Sequence, residues 1–161
     1  MVKVLIKKLS PSVQLPSYKT DGASGMDLTA FIEKPINLVP GKSCLIPTGL
    51  SVAFSEEYEI QIRPRSGLAA KNNISVLNTP GTIDSDYRGE IKVILFNHGN
   101  KNFKINNNDR IAQMILTPVI KMDLEETNEL PDSIRGAGGF GSTGKWEKVL
   151  TNLKLKDSQD N

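Results

Sequence analysis

The sequence is poor in the residues that build disulfides and metal cages. Its 161 residues include one cysteine and one histidine, which are Cys44 and His98. One cysteine cannot form a disulfide within the chain. One cysteine and one histidine cannot supply the four ligands of a structural zinc site. The sequence therefore predicts a protein of a reducing compartment that has neither a disulfide framework nor a Cys/His zinc site.

Long apolar runs and a strong excess of one charge are also lacking. Residues 1–9 alternate apolar and basic side chains, without an apolar core long enough for a signal peptide. No stretch resembles a membrane span. The net charge is +2, which gives little attraction to nucleic acid or membrane surfaces. With 38% hydrophobic and 24% charged residues, the composition is that of a globular domain. We expect a cytoplasmic protein without a nucleic-acid or membrane partner.

Alternation of apolar and polar residues dominates the chain and predicts β-strands. The predicted strands lie at 2–6, within 44–54, and at 58–62, 90–97 and 110–119. Clusters of Gly, Pro, Asn and Asp separate them. Many short strands between turns are typical of a sandwich, barrel or jelly roll. Helical spacing occurs in two places, at 67–72 and in the apolar series Trp146, Val149, Leu150 and Leu153.

The glycine-rich segment 135–144 is the most unusual part of the chain. It surrounds Phe140 with five glycines, one arginine and two hydroxyls. Glycine amides can approach phosphate oxygens closely, and an arginine adds two parallel donors. These residues favour a lid over a phosphate and a base, whereas composition alone favours a disordered linker. The segment also matches two phosphate-loop patterns. No apolar strand precedes it, and Trp146 stands where the P-loop needs Ser or Thr, so both matches are accidental.

Four other segments place polar residues near strand ends. At 63–68, two arginines and Ser66-Gly67 suit phosphate binding, or else a helix N-cap at Ser66. At 78–90, a hairpin places Asp84 where it can act as a general base on water, or where it is only part of a solvated turn. Segments 23–30 and 109–116 are individually more typical of structural roles. Within the latter, Arg110 and Gln113 are three apart and are expected on different faces.

In this order the five segments resemble the five motifs of the trimeric dUTP diphosphatases, or dUTPases. The resemblance covers 18–144, with motifs at 23–28, 64–67, 81–89, 109–115 and 135–144. It implies an all-β fold, a distorted jelly-roll β-barrel with one short helix, in a homotrimer with shared active sites. It also implies hydrolysis of dUTP to dUMP and pyrophosphate with Mg²⁺, which lowers dUTP and supplies dUMP for thymidylate synthesis. We expect a core at 1–134, a lid arm at 135–144 and an extension at 145–161.

The resemblance also assigns the residues of the site. Asp84 is the implied catalytic base that deprotonates the attacking water, and Asp27 the implied magnesium contact through water. The uracil edge is assigned to Asn78, Thr82, Ile83 and Lys92, and the deoxyribose to Tyr87. The phosphates are assigned to Arg65, Ser66, Gly67 and Gln113. The lid supplies Arg135, Phe140, Gly141, Ser142 and Thr143, with the Phe140 ring stacked on uracil.

The extension and two rival functions remain open at this stage. The apolar series from Trp146 to Leu153 predicts a short helix docked on the trimer or on another partner, and a weakly structured tail is the alternative. One rival function is a dCTP deaminase-like or bifunctional enzyme of the same fold. That chemistry needs a different carboxylate at the base end of the pocket. The other rival is a non-catalytic nucleotide-binding regulator, against which the complete set of chemical residues argues.

Overall fold

The chain divides into two compact units, Met1–Lys121 and Met122–Asn161, and the computed structural model describes residues 1–139. The first unit carries every strand and helix of the described part. The described part of the second unit contains a turn in which the Gly136 amide donates to the Ser133 carbonyl oxygen at 3.0 Å.

Eleven strands and one helix form within residues 1–139. In chain order they are β1 (Leu5–Lys8), β2 (Met26–Thr29), β3 (Ile36–Leu38), β4 (Ser43–Pro47), β5 (Leu50–Ala53), β6 (Tyr58–Arg63), α1 (Ser66–Asn72), β7 (Ile74–Val76), β8 (Gly81–Ile83), β9 (Lys92–Asn97), β10 (Phe103–Ile105) and β11 (Arg110–Pro118). All described strand pairs are antiparallel. The predicted all-β jelly-roll fold with one short helix is confirmed.

The strands form a four-stranded sheet in the order β2-β11-β6-β8, a three-stranded sheet β4-β9-β7, and the pairs β1-β5 and β3-β10. Alternation along β9 shows how they enclose a core, because Val93, Leu95 and Asn97 are buried while Lys92 is exposed. The largest fully buried apolar side chains are Leu28, Ile46, Ile74, Ile91, Leu95, Ile105 and Ile111. Burying one such side chain stabilises the fold by about 1.5–3 kcal/mol.

The first strand and the run 44–54 differ most from the sequence prediction, because partner strands and turns set their bounds. The first strand runs over Leu5–Lys8 rather than 2–6, since its register with β5 begins at Leu5 opposite Ala53. The apolar run 44–54 splits into β4 and β5 around Gly49, whose φ is +69°. A Cβ at Gly49 would lie 2.4 Å from Val13 Cγ2, so this turn requires glycine.

The helix α1 occupies the predicted place, but it starts differently. Its N-cap residue is Arg65, which is extended, and no side chain caps the helix. The alternative of an N-cap at Ser66 is therefore wrong, because Ser66 is already the first helical residue. The helix ends at Asn72, and its C-cap residue Asn73 takes the left-handed conformation with φ 55°. In the described part of the chain, no helix has the length and apolar character needed to cross a membrane.

Candidate active site

The four-stranded sheet gathers four of the five polar segments. Asp27 lies on β2 and Gln113 on β11, while Arg63 ends β6 and Asp84 follows β8. Gln113 is the cross-strand partner of both Asp27 and Arg63. Directly opposite residues in paired strands point to the same face of a sheet. The first, second and fourth segments therefore meet on one face.

Asp27 binds two arginines on this face. Its Oδ1 accepts a hydrogen bond from Arg65 Nε at 2.7 Å, and its Oδ2 accepts one from Arg110 Nη1 at 3.1 Å. Arg65 Nη1 also donates to the Arg110 carbonyl oxygen at 3.3 Å. The Asp27 side chain is 18% exposed, so the two ion pairs are only partly screened by water. One carboxylate thus orients two guanidiniums, and the cluster retains one net positive charge.

A β-bulge explains how Arg110 reaches Asp27. The register of β11 against β2 shifts between Arg110 and Ala112, and the successive residues Ile111 and Ala112 are both buried. The bulge breaks the alternation of faces. The expectation that Arg110 and Gln113 face different sides is therefore wrong, since the Arg110 side chain contacts the carboxylate of the residue paired with Gln113. Arg110 was missed as a site residue because sequence spacing does not reveal the bulge.

Gln113 is held by the loop that follows β6. Its Nε2 donates to the Pro64 carbonyl oxygen at 3.0 Å. Gly25 makes room for the amide, because a Cβ there would lie 2.8 Å from Gln113 Oε1 and 2.9 Å from Ile115 Cγ1. Gln113 and Ser66 line one cavity of about 510 Å³. The predicted phosphate residues Ser66 and Gln113 thus share a concave surface.

The start of α1 presents two backbone amides beside this cavity. The amides of Leu68 and Ala69 both donate to the Arg65 carbonyl oxygen. The amides of Ser66 and Gly67 precede these bonds and have no acceptor within the helix. Both residues are exposed. The Ser66 hydroxyl and the Gly67 amide, both predicted to bind phosphate, are therefore accessible to a ligand.

The hairpin that begins with β8 forms a second cavity, of about 350 Å³. The hairpin and the start of β9 line this cavity with Thr82, Ile83, Asp84, Tyr87, Glu90 and Lys92. Leu45 and Ile94 form its apolar wall. Five of the residues predicted from the sequence are therefore brought together here. Asn78 lines neither cavity. It lies beside the start of β8, since its Nδ2 would be 3.2 Å from a Cβ placed on Gly81.

Asp84 and Tyr87 differ in how they are held. The Asp84 side chain is exposed, and its carboxylate has no ion-pair partner within residues 1–139. Tyr87 Oη donates to the Glu90 carbonyl oxygen at 3.0 Å, and its ring lies across Gly89, where a Cβ would be 2.3 Å from Oη. The ring is thus fixed by its neighbours, while the Asp84 carboxylate is free to accept a hydrogen bond from water.

Glu90 is a lining residue that the sequence interpretation missed. Its Oε1 accepts a hydrogen bond from the Gly49 amide at 2.8 Å, and its Oε2 lies 3.7 Å from Lys92 Nζ. Beside it, Thr48 Oγ1 donates to the Ile91 carbonyl oxygen at 2.6 Å. These bonds tie the hairpin to the turn between β4 and β5. In the sequence, Glu90 stands out only as a charged residue directly before a buried strand. Its partner, the Gly49 amide, is 41 positions away, so local spacing does not reveal the contact.

The two cavities have no lining residue in common. The hairpin cavity contains Asp84, Tyr87 and Lys92, whereas the other contains Ser66 and Gln113. Arg65 and Asp27 lie on the same sheet face as Gln113. The described chain thus carries two separate groups of predicted site residues, one suited to a base and sugar and one suited to phosphates.

A resident metal cage is not found in the described part of the chain. No group of three or more His, Cys, Asp or Glu side chains within residues 1–139 is placed to hold a metal ion. Asp27, the predicted magnesium contact, has each oxygen engaged by an arginine. This donor set suits an ion that arrives with a phosphate ligand and keeps its own waters, which is the common binding mode of Mg²⁺.

The second unit contains the start of the glycine-rich segment. Arg135 Nε donates to the Gly138 carbonyl oxygen at 2.6 Å, and Gly136 has a φ of +50°. The arginine thus closes a turn of its own segment. The predicted lid residues Phe140, Gly141, Ser142 and Thr143 lie outside the described residues, as does the apolar series of the extension.

Comparisons with known proteins identify relatives of the chain. Residues 12–144 match the family model described as dUTPase. The chain is 58% identical over 137 residues to the deoxyuridine 5′-triphosphate nucleotidohydrolase of Treponema denticola, covering 85% of this chain and 95% of that protein.

Two solved structures share the fold. One is a Staphylococcus bacteriophage 80alpha dUTPase mutant with dUpNHpp, at a TM-score of 0.80 and 22% identity, covering 88% of this chain and 98% of that one. The other is a mutant dUTPase of the S. aureus phage phi11, described with a structural Mg(II) ion, at a TM-score of 0.73 and 19% identity, covering 81% and 99%.

Proposed function

The chain belongs to the dUTPase family and is a dUTP diphosphatase, and we propose that Asp84 activates the water that attacks the α-phosphorus of dUTP. The observation that carries this proposal is the Asp84 carboxylate, which is unpaired within residues 1–139 and lines the hairpin cavity. A carboxylate without a cationic partner can accept a proton from a positioned water. Lys92 and Tyr87 line the same cavity.

Hydrolysis of dUTP consumes one water molecule and needs one group that accepts a proton from it. The water oxygen forms a bond to the α-phosphorus as the bond between that phosphorus and the bridging oxygen of the β-phosphate breaks. The Asp84 carboxylate takes a proton from the water, and pyrophosphate leaves with the electrons of the broken bond. The products are dUMP and pyrophosphate. Rate acceleration comes mainly from holding the water in line and from stabilising charge on the phosphate oxygens.

Recognition of uracil follows from the position of β8 at the edge of its sheet. Within the described chain β8 pairs with β6 alone, so its outward backbone groups are free to hydrogen-bond a base edge. Thr82 and Ile83 bring this backbone to the cavity, Lys92 of β9 lines the cavity with them, and Asn78 adds an amide at the start of the hairpin. In this proposal the strand's free backbone groups hydrogen-bond the uracil edge. The amino group of cytosine would meet a donor where it needs an acceptor, so cytosine would bind poorly.

Tyr87 and the lid complete the nucleoside site in this proposal. The Tyr87 ring, fixed across Gly89, packs on the deoxyribose and leaves no room for a ribose 2′-hydroxyl. Phe140 stacks on the uracil face. Arg135, Ser142 and Thr143, with the Gly141 backbone, meet the γ-phosphate. Closure of this arm over the triphosphate excludes bulk water.

The phosphates occupy the cavity of Ser66 and Gln113. The Ser66 hydroxyl, the Gly67 amide and the Gln113 amide donate to phosphate oxygens, and Arg65 adds positive charge while Asp27 holds its orientation. Mg²⁺ held by the triphosphate and its own waters would supply charge neutralisation at this surface. Asp27 has lone pairs left to accept a hydrogen bond from a magnesium-bound water.

Separate base and phosphate surfaces on one chain support a site assembled from several copies. We propose a homotrimer in which the hairpin of one subunit faces the phosphate surface of a neighbour, with the arm of the third subunit closing over both. The enzyme lowers dUTP in the cytoplasm and supplies dUMP for thymidylate synthesis. In the domain division that we propose, the core ends at 134 and the lid arm covers 135–144.

The substrate range tests the proposal. Pyrophosphate release is measured with dUTP, dTTP, dCTP and UTP in the presence of Mg²⁺, and ammonia release is followed in parallel with dCTP. We expect rapid release from dUTP, little from the other nucleotides, and no ammonia. Ammonia from dCTP would establish a deaminase or bifunctional enzyme instead. Tight nucleotide binding without any pyrophosphate release would establish a regulator.

A further inference from the structure

We propose that Arg63 is a further triphosphate-binding residue, whose guanidinium contacts a phosphate oxygen beside Ser66 and Gln113. The inference rests on the proposed function, because it takes the cavity of those two residues as the place of the triphosphate. The motif assignments give roles to Arg65, Ser66 and Gly67 but none to Arg63.

Arg63 is placed by the sheet at the phosphate surface. It is the last residue of β6 and the cross-strand partner of Gln113. Partners in this position present their side chains on the same face. Arg63, Ser66 and Gln113 all line the cavity of about 510 Å³, and Arg63 is exposed. A ligand that reaches Gln113 from solvent therefore passes beside the guanidinium.

Arg63 is the one charged side chain among the described residues that line this cavity. Arg65 differs, because its Nε is bonded to Asp27 at 2.7 Å and that carboxylate, which Arg65 shares with Arg110, offsets part of its charge. Arg63 has no carboxylate partner within residues 1–139. Its charge therefore remains available to an anion, and the phosphate surface needs such a charge to bind a triphosphate.

A hydrogen-bonded ladder along β6 fixes the direction of the guanidinium. Arg63 Nε and Nη2 donate to Gln61 Oε1 at 3.0 and 2.6 Å. Gln61 Nε2 in turn donates to Glu59 Oε1 at 2.5 Å. The neutral amide orients Arg63 without neutralising it, and within residues 1–139 Nη1 has no hydrogen-bond partner, so it can donate to a ligand. A guanidinium that is already ordered loses less conformational entropy when it binds phosphate.

The test compares the affinities of a triphosphate and a monophosphate. We expect Arg63→Ala to weaken binding of the slowly hydrolysed analogue dUpNHpp about tenfold, since a charge-assisted hydrogen bond contributes at least that much. Affinity for dUMP should stay unchanged in calorimetry. Arg63→Lys should restore part of the loss, and Arg63→Gln provides a variant of similar length without the charge. Lys71→Ala is the matched control, because Lys71 is a cation of α1 that does not line the cavity.

Three results would overturn the inference. They are a dUpNHpp affinity in Arg63→Ala equal to that of Lys71→Ala, an equal loss of dUMP and dUpNHpp affinity, and an altered oligomeric state in both Arg63→Ala and Arg63→Gln. Failure of the proposed function is distinguishable, because it would appear as absent pyrophosphate release from dUTP by the unmodified protein. In that case the proposed role of Arg63 in binding the triphosphate would also be wrong.

Discussion

Gly25→Ala tests the close packing of the phosphate surface. A Cβ at this position would lie 2.8 Å from Gln113 Oε1, 2.9 Å from Ile115 Cγ1 and 3.2 Å from the Met114 carbonyl oxygen. The Gln113 amide is the most flexible of these neighbours, so it should move and release the Pro64 carbonyl oxygen. Overpacking costs about 1–3 kcal/mol, and the lost hydrogen bond about 0.5–1.5 kcal/mol. Because the amide can move, we expect a loss of about 2 kcal/mol in the free energy of unfolding.

The displaced amide should also reduce activity. Loss of one contact to the phosphates of dUTP, worth about 1.4 kcal/mol, should lower kcat/KM for dUTP about tenfold. The assays are urea unfolding and pyrophosphate release. Gly22→Ala is the matched control, since a Cβ there meets nothing within 4 Å. A Gly25→Ala protein with the stability and activity of Gly22→Ala would refute the packing argument. Lost stability with unchanged dUpNHpp affinity would refute the phosphate contact of Gln113.

Three other substitutions test separate parts of the site. Asp27→Asn should destabilise the protein by about 1–3 kcal/mol in urea unfolding, because Arg65 and Arg110 lose their common partner, and a variant as stable as the unmodified protein would contradict the ion-pair geometry. Gly89→Ala should lower the ratio of kcat/KM for dUTP over UTP, because the new Cβ displaces the Tyr87 ring, and an unchanged ratio would remove Tyr87 from sugar selection. Phe140→Ala should reduce kcat/KM with little change in melting temperature, and a large loss of stability without substrate would instead assign the ring to a core.

Period-two alternation predicted the regions of six of the eleven described strands, β1, β4, β5, β6, β9 and β11, and it did not predict the three- and four-residue strands β2, β3, β7, β8 and β10. It predicted β6 and β9 well, and the glycines and prolines between strands marked the turns. It failed where distant partners decide the structure. The start of β1 is set by its register with β5, and the bulge after Arg110 is set by its pairing with β2. Neither partner is visible in the local sequence.

In the candidate site, too, contacts between residues close in sequence were predictable and contacts between distant residues were not. Asp84, Tyr87 and Lys92 are close in sequence, and the hairpin brings them to one cavity as expected. The pairing of Asp27 with Arg65 joins positions that are 38 apart, and Glu90 finds its partner on a turn 41 positions away. Arg63 gains its place from its cross-strand neighbour Gln113. Such contacts depend on sheet register, which composition and spacing do not specify.

The proposed hydrolysis depends on activation of the attacking water by the Asp84 carboxylate. The most direct test is the rate of pyrophosphate release from dUTP by Asp84→Asn, with Asp86→Asn, an exposed aspartate of the same loop, as the control. We expect Asp84→Asn to lower kcat at least about 100-fold while its affinity for dUpNHpp stays close to that of the unmodified protein. Asp86→Asn should remain active. An Asp84→Asn enzyme that turns over dUTP at the unmodified rate would show that Asp84 does not activate the water.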